Sequence, residues 1–246
     1  MQNKLNSLEK TAQLVGLKIN GEKTKLLRTN IKQDPQFTIY GTNIEDVREF
    51  TYLGSKVSQS GGTDEDIISR IKKARQAFAI LKPVWKASNI AKSTKLKIFN
   101  SNVKAVLLYG SETWRTTLTT SAKIQTFINR CLRQILQIKW FDKVPNTELW
   151  TRTNQKPMDV QIRRRKWRWV GHTLRKEPSN ITKQALEWNP QGKRKRGRPK
   201  QTWRRSLHQD MSASNFSWNE TKACAKDRRR WKNAVEALCF ARSQEA

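Results

Sequence analysis

Acidic side chains are scarce in this chain: 20 Asp and Glu face 50 Lys and Arg over 246 residues, a formal net charge of +30. That imbalance excludes partners that are themselves cationic and points to a polyanion, either a nucleic acid or an anionic membrane surface. Long hydrophobic runs are lacking too. No stretch approaches the roughly 18 apolar residues that a membrane span requires, and the first residues lack the apolar block of a secretory signal. The membrane drops out and nucleic acid remains, in a protein expected to be nuclear and/or cytoplasmic. Cysteine is rare: Cys131, Cys224 and Cys239 are too widely spaced for a disulfide framework, which suits a reducing compartment. Without a Cys-x₂₋₄-Cys pair, and with His172 and His208 not at helical spacing, no zinc site is expected. Nor does any Asp-Asp pair occur. The nearest acidic cluster, Asp64-Glu65-Asp66, follows Thr63 and reads as a capping box whose carboxylates favour the helix dipole.

Tryptophan, by contrast, is plentiful at ten residues, and several of these lie among cations between Arg163 and Trp203. The segment opens with Arg163-Arg164-Arg165-Lys166-Trp167-Arg168-Trp169 and ends in Lys193-Arg194-Lys195-Arg196-Gly197-Arg198-Pro199-Lys200 ahead of Gln201-Thr202-Trp203. Lys and Arg neutralise phosphates and release condensed counterions, an affinity that ignores base sequence. Indole faces stack on unpaired bases at roughly 1–3 kcal/mol per base. Helical spacing puts Trp167 with Val170, Gly171 and Leu174 on a core-facing side. Trp169 falls roughly 200° away and is the indole expected to be exposed. Arg163, Arg164 and Arg168 are the better phosphate candidates, with Arg165 beside them. Lys193 to Lys200 has no hydrophobic residue and is expected to be extended or disordered in isolation. Its Arg196-Gly197-Arg198-Pro199 core is similar to an AT-hook, in which glycine lets the backbone sink to the floor of a narrow minor groove and flanking arginines enter it. The same run fits a nuclear-import signal, and both readings stay open.

Along the chain, residues 3–15 read as an amphipathic helix stopped by Gly16. Short strands are expected at 17–20, 37–40 and 50–55, the last running into a turn. Three helices with strong periodicity follow. The first buries Ile67, Ile71, Ala74, Phe78 and Leu81 and meets Pro83. The second buries Leu96, Phe99, Val103, Val106 and Leu107 and ends near Gly110. The third, capped by Ser121, buries Ile124, Phe127, Ile128, Cys131, Leu132, Ile135 and Ile138. Short connections favour a helical bundle, with Lys72, Lys73 and Arg75 on its outer face, as phosphate contacts or simply as a solvated helix face. Pro157 suits the first turn of a helix reaching Lys176. A short helix spans 181–188 and another runs from Trp203 to Met211. The capping box Ser217-Trp218-Asn219-Glu220 opens a last helix that runs to Arg242.

Several of these stretches, taken together and in order, resemble the reverse transcriptases of non-LTR, LINE-type retrotransposons. Gly-Leu-Lys-Ile-Asn-Gly-Glu-Lys-Thr-Lys (16–25) and Phe-Thr-Tyr-Leu-Gly-Ser (50–55) look like the last palm motifs. The second corresponds to the primer-grip turn, here Tyr52, Leu53 and Gly54. Leu-Leu-Tyr-Gly-Ser-Glu-Thr-Trp (107–114) looks like the thumb signature. Trp-Val-Gly-His (169–172) and Gly-Arg-Pro-Lys-Gln-Thr-Trp (197–203) look like the C-terminal tail. The resemblance implies a mainly α fold: residual palm β-hairpins at the N-terminus (1–60), a helical-bundle thumb (61–140) and a helical, basic C-terminal region (141–246) with a loop at 189–202. It also implies that Mg²⁺ is held by an Asp-Asp turn just before the first helix, in palm and fingers that this sequence does not include. Two-metal phosphoryl transfer needs such carboxylates. The expectation is therefore a fragment that binds template RNA, primer or target DNA without polymerising, with no cofactor and no catalytic residue of its own. The other reading is an element-derived, stand-alone DNA-binding or chromatin protein.

Overall fold

Among the described residues, the strands form three two-stranded ladders, none hydrogen-bonded into a wider sheet. The computed structural model describes residues 1–28, 35–59, 61–188 and 201–240. These divide into two units, 1–69 and 70–246. The basic run at 193–200, and with it Lys193, Arg194, Lys195, Arg196, Gly197, Arg198 and Lys200, lies outside the described residues.

In the first unit, helix α1 (Gln2–Leu14) has no buried residue. It stops in a Schellman motif: Gly16 takes φ 71°, its N–H donates to Gln13 O at 3.0 Å, and Leu17 N–H donates to Ala12 O at 2.9 Å. The strand expected at 17–20 does not form. Asn20 instead nucleates a turn, its side chain accepting from Lys23 N–H at 2.9 Å and its carbonyl from Thr24 N–H at 3.1 Å. Pairing starts after that turn, where β1 (Lys25–Leu27) runs parallel to β4 (Glu45–Val47). Lys25 pairs with Glu45 across this ladder, and the Arg28 guanidinium grips Asp46 through two 2.8 Å bonds. β2 (Thr38–Ile39) and β3 (Thr42–Asn43) form a small hairpin, as do β5 (Glu49–Tyr52) and β6 (Ser55–Ser58). In the second hairpin Tyr52 faces Ser55, leaving Leu53 and Gly54 as a two-residue turn with φ of 48° and 81°. Positive φ at both positions gives the mirror-image turn whose twist matches the strands. The Asp66 carboxylate, in the first turn of α2 (Asp64–Ile80), accepts from Lys56 N–H at 3.0 Å. It thus ties β6 to the helix start.

Helix α2 carries the chain into the second unit, where helices take over. Chain continuation past Pro83 is a short helix, α3 (Lys82–Lys86), with the proline in its first turn. Trp85 on α3 is fully buried, stacks on Phe78 (centroids 5.1 Å apart) and donates from Nε1 to Phe78 O at 2.8 Å. Helix α4 (Lys92–Ile98) passes through a π-helical turn, Phe99–Lys104, into α5 (Ala105–Leu107). Gly110, in the left-handed region at φ 71°, then reverses the chain. Four residues of the 107–114 signature, Leu107, Leu108, Ser111 and Trp114, are buried. Helix α6 (Leu118–Leu136) buries Ile124, Phe127, Ile128, Cys131, Leu132 and Ile135, as its spacing predicts. Its cap is Thr117, not Ser121: Thr117 and Thr120 exchange side-chain to backbone bonds, and helix begins one turn earlier than the apolar stripe.

After a 3₁₀ turn at Trp140–Asp142 comes α7 (Asn146–Thr153), then α8 (Met158–Leu174) with Pro157 at its N-cap. Helices α9 (Ile181–Glu187), α10 (Trp203–Ala213), α11 (Trp218–Lys226) and α12 (Arg228–Phe240) pack around α8. Their shared core includes Trp167, Val170, Leu174, Leu207, Trp231 and Leu238. The single last helix expected from Ser217 onward is two helices, broken at Asp227, whose carboxylate accepts from Arg229 and Arg230 N–H at 2.7 and 3.2 Å. An acid placed there caps a new helix instead of continuing the old one. The Ser217–Glu220 capping box forms as read.

Candidate nucleic-acid interface

Seven consecutive residues of α8 carry five cations, and 3.6-residue periodicity must turn some of them inward. Lys166 is fully buried; its Nζ donates to Ser206 Oγ at 2.9 Å and lies 5.9 Å from the Trp203 ring centre. Arg163, four residues before the core residue Trp167, is also buried and ion-pairs with Asp159 at 2.6 Å. The structure therefore places Arg163 in the packed face of α8. Arg164 is half-buried and paired with Glu236 of α12, and its Nε donates no hydrogen bond among the described residues. Arg165 and Arg168 are exposed.

Trp167 is a core residue, fully buried, with its indole N–H donating to Asp210 Oδ2 at 3.1 Å and its ring edge-on to Trp231. Trp169, expected as the exposed indole, is half-buried instead, because α10 brings the Trp203 ring against it edge-to-face at 5.8 Å. Trp203 Nε1 in turn donates to Glu112 O at 2.7 Å, which fastens α10 to the 107–114 signature.

Arg164, Arg165 and Arg168 open onto a cleft of about 440 Å³ between α8, α5 and the end of α7. Lys104 and Lys156 bring the cations of the lining to five, with Asn100, Asn154, Gln155 and Gln161 as neutral donors and acceptors and no carboxylate. Glu236 stands at the edge, within 3.8 Å of Lys156 and paired with Arg164. Lys104 sits at the last position of the π turn, its Nζ donating to Gln155 Oε1 at 2.5 Å. Burial, and then the nearby Arg165 guanidinium, pull its amine down to about 8. An ammonium so disfavoured by desolvation and a like charge is stabilised by an anion arriving in the cleft. Arg165 Nη1 also donates to Leu108 O at 3.2 Å, so the guanidinium is held in place before any ligand arrives.

Sequence reasoning found Arg164, Arg165 and Arg168 in this cleft and missed Lys104 and Lys156, which come from other helices and carried no local signal. Lys72, Lys73 and Arg75 are exposed on α2, outside the cleft lining. Tyr52, Leu53 and Gly54 sit at the tip of the β5–β6 hairpin, in the first unit, with Tyr52 and Leu53 exposed. The cysteines Cys131 and Cys239 are buried, and burial pushes both thiols up to about 12, which makes them inert packing groups. No three His, Cys, Asp or Glu side chains converge among the described residues. The Mg²⁺ implied by the reverse-transcriptase resemblance therefore finds no fitting donor set among them. No helix is long and apolar enough to cross a membrane, again among the described residues.

Comparison with known proteins agrees with part of the sequence reading. The chain is similar to a Caenorhabditis elegans protein described as transposon-derived and uncharacterized. The two are 26% identical over 264 residues, covering 92% of this chain and 85% of that one. This supports a transposon origin. A family model described as a domain of unknown function (DUF6451) matches residues 77–109, from the end of α2 through the π turn to Tyr109. No solved structure matches.

Proposed function

We propose that this chain is a nucleic-acid-binding part of a protein derived from a LINE-type reverse transcriptase, one that holds RNA template, primer or target DNA and does not itself polymerise. The observation that carries this reading is the cleft along α8, where Lys104, Lys156, Arg164, Arg165 and Arg168 converge with no acid in the lining. A cleft of one sign with low-dielectric walls concentrates the opposite charge. The net charge of +30 makes that opposite charge a polyanion. The ordered palm, thumb and tail motifs favour a reverse-transcriptase ancestor, and the transposon-derived relative is in keeping with it. Without an Asp-Asp pair, the work left to the chain is positioning: phosphates neutralised by guanidinium groups that helix packing already holds in place.

Binding of labelled single- and double-stranded DNA and RNA, followed by fluorescence anisotropy across a salt titration, tests the reading. Affinity is expected to fall with a log–log slope of about −0.9 per duplex phosphate neutralised. R165E/R168E is expected to weaken all these ligands alike. A flat salt response overturns the nucleic-acid reading, and primer extension by the purified chain with Mg²⁺ and nucleotides overturns the division between binding and chemistry. The second reading, an element-derived stand-alone DNA-binding or chromatin protein, is favoured by the core that residues 70–246 build for themselves. It predicts a single cooperative thermal transition for that unit within the purified chain.

A further inference from the structure

Most indoles of the second unit are packed away, Trp85, Trp114 and Trp167 completely. Trp140 is the opposite case, 90% exposed, and its neighbour Phe141 is 60% exposed. Their rings meet edge-to-face, centroids 5.8 Å apart, on the 3₁₀ turn between α6 and α7. That turn is firmly built. Asp142 accepts from Lys139 N–H at 2.6 Å, and Ile138 N–H closes the end of α6 on Arg133 O at 2.9 Å. Arg133 Nη2 bonds Val144 O and Asn146 Oδ1 at 3.0 and 2.9 Å on the far side. Beside the turn, along α6, runs a groove of about 560 Å³ lined by Arg130, Arg133 and Lys139 together with amides such as Gln134 and Asn146, and by no carboxylate.

We propose that the Trp140–Phe141 turn is a stacking platform for an unpaired nucleobase, with Arg130, Arg133 and Lys139 receiving the phosphates of the same strand. This rests on the nucleic-acid reading above and adds to it a site for single strands, separate from the α8 cleft. Two flat rings held open by a braced turn suit a planar ligand. The adjoining cations suit a ligand that is anionic between its planar groups. A second copy of this chain brings another +30 against the groove, and an apolar protein face desolvates three cations without pairing them. A single strand satisfies rings and cations together.

The test uses the full chain and a short thymidine-rich single strand carrying 2-aminopurine, with a blunt duplex of equal charge as control. W140A/F141A is expected to lose about ten-fold or more of its single-strand affinity and the stacking quench of 2-aminopurine, while duplex affinity and melting temperature stay as in the wild type. W140F restores part of the quench. The platform is overturned if single-strand and duplex affinities fall together, if neither falls, or if the variant instead loses self-association or binding to phosphatidylserine vesicles. Wild-type chain that binds no oligonucleotide overturns the broader reading as well; wild-type binding left intact in the variant overturns the platform alone.

Discussion

Gly171 on α8 is fixed by its neighbour: a Cβ there would lie 1.9 Å from Trp231 Nε1 and 2.3 Å from Cε2. Gly171→Ala therefore has to push a buried indole out of the core. The overpacking costs roughly 1–3 kcal/mol and outweighs the roughly 1 kcal/mol of helix propensity gained. A lowered melting temperature by calorimetry is the expected result, with Trp231→Phe in the same background recovering part of it. Lys104 makes the second residue-scale prediction. Its folded pKa of about 8 lies below the ordinary lysine value of 10.5, so from pH 8 to 10.5 the unfolded chain holds the extra proton and stability rises with pH. Below 8 the penalty is present in full. Lys104→Met is thus expected to raise the melting temperature at neutral pH while weakening nucleic-acid binding. In the wild type, binding itself weakens as pH climbs through 8 and the amine discharges; Arg164, Arg165, Arg168 and Lys156 stay charged, and in the variant that pH dependence disappears.

At the scale of single elements, periodicity made α6 legible, including Cys131 as a packing residue, because long apolar stripes leave little choice. It left the cations of α8 undivided. Arg163 and Lys166 share the face of Trp167, yet a charged residue on an apolar face is ambiguous until its partners are known, here Asp159 and Ser206. Helix starts were less legible for a similar reason: Thr117, Thr120 and Ser121 all suit a cap, and only geometry selects Thr117. Thr117→Ala is expected to cost about 1 kcal/mol, read by chemical denaturation, with Ser121→Ala near neutral. In the β5–β6 hairpin, Leu53 holds φ 48° with its side chain in solvent, a conformation that Asn accepts more readily than Leu. Leu53→Asn should slow amide exchange in the hairpin. Weaker nucleic-acid binding in the same variant marks Leu53 as a residue kept for contact at the expense of local stability.

Across the whole molecule the two units differ in how much they bury. Residues 1–59 contribute Ile39 as their buried hydrophobic among those described, whereas α6 and α8 each bury a continuous stripe. Amide exchange is expected to be fast throughout α1 and the small ladders and slowest in α6 and α8, spanning orders of magnitude within one chain. Mainly helical architecture was legible from the sequence, since three strong stripes and two capping boxes agree. The cleft was not, because Lys104, Lys156 and Arg165 are dozens of residues apart and meet through packing alone. The π turn at Phe99–Lys104 has one more consequence. Such a turn accommodates one residue more than an ordinary helix would over the same span. Deleting the exposed Ser101 should let α4 run straight into α5 and swing everything after it by about 100°, taking Lys104 off the cleft wall. Among relatives, a one-residue gap at this point would therefore be a ready genetic marker of copies that have given up their grip.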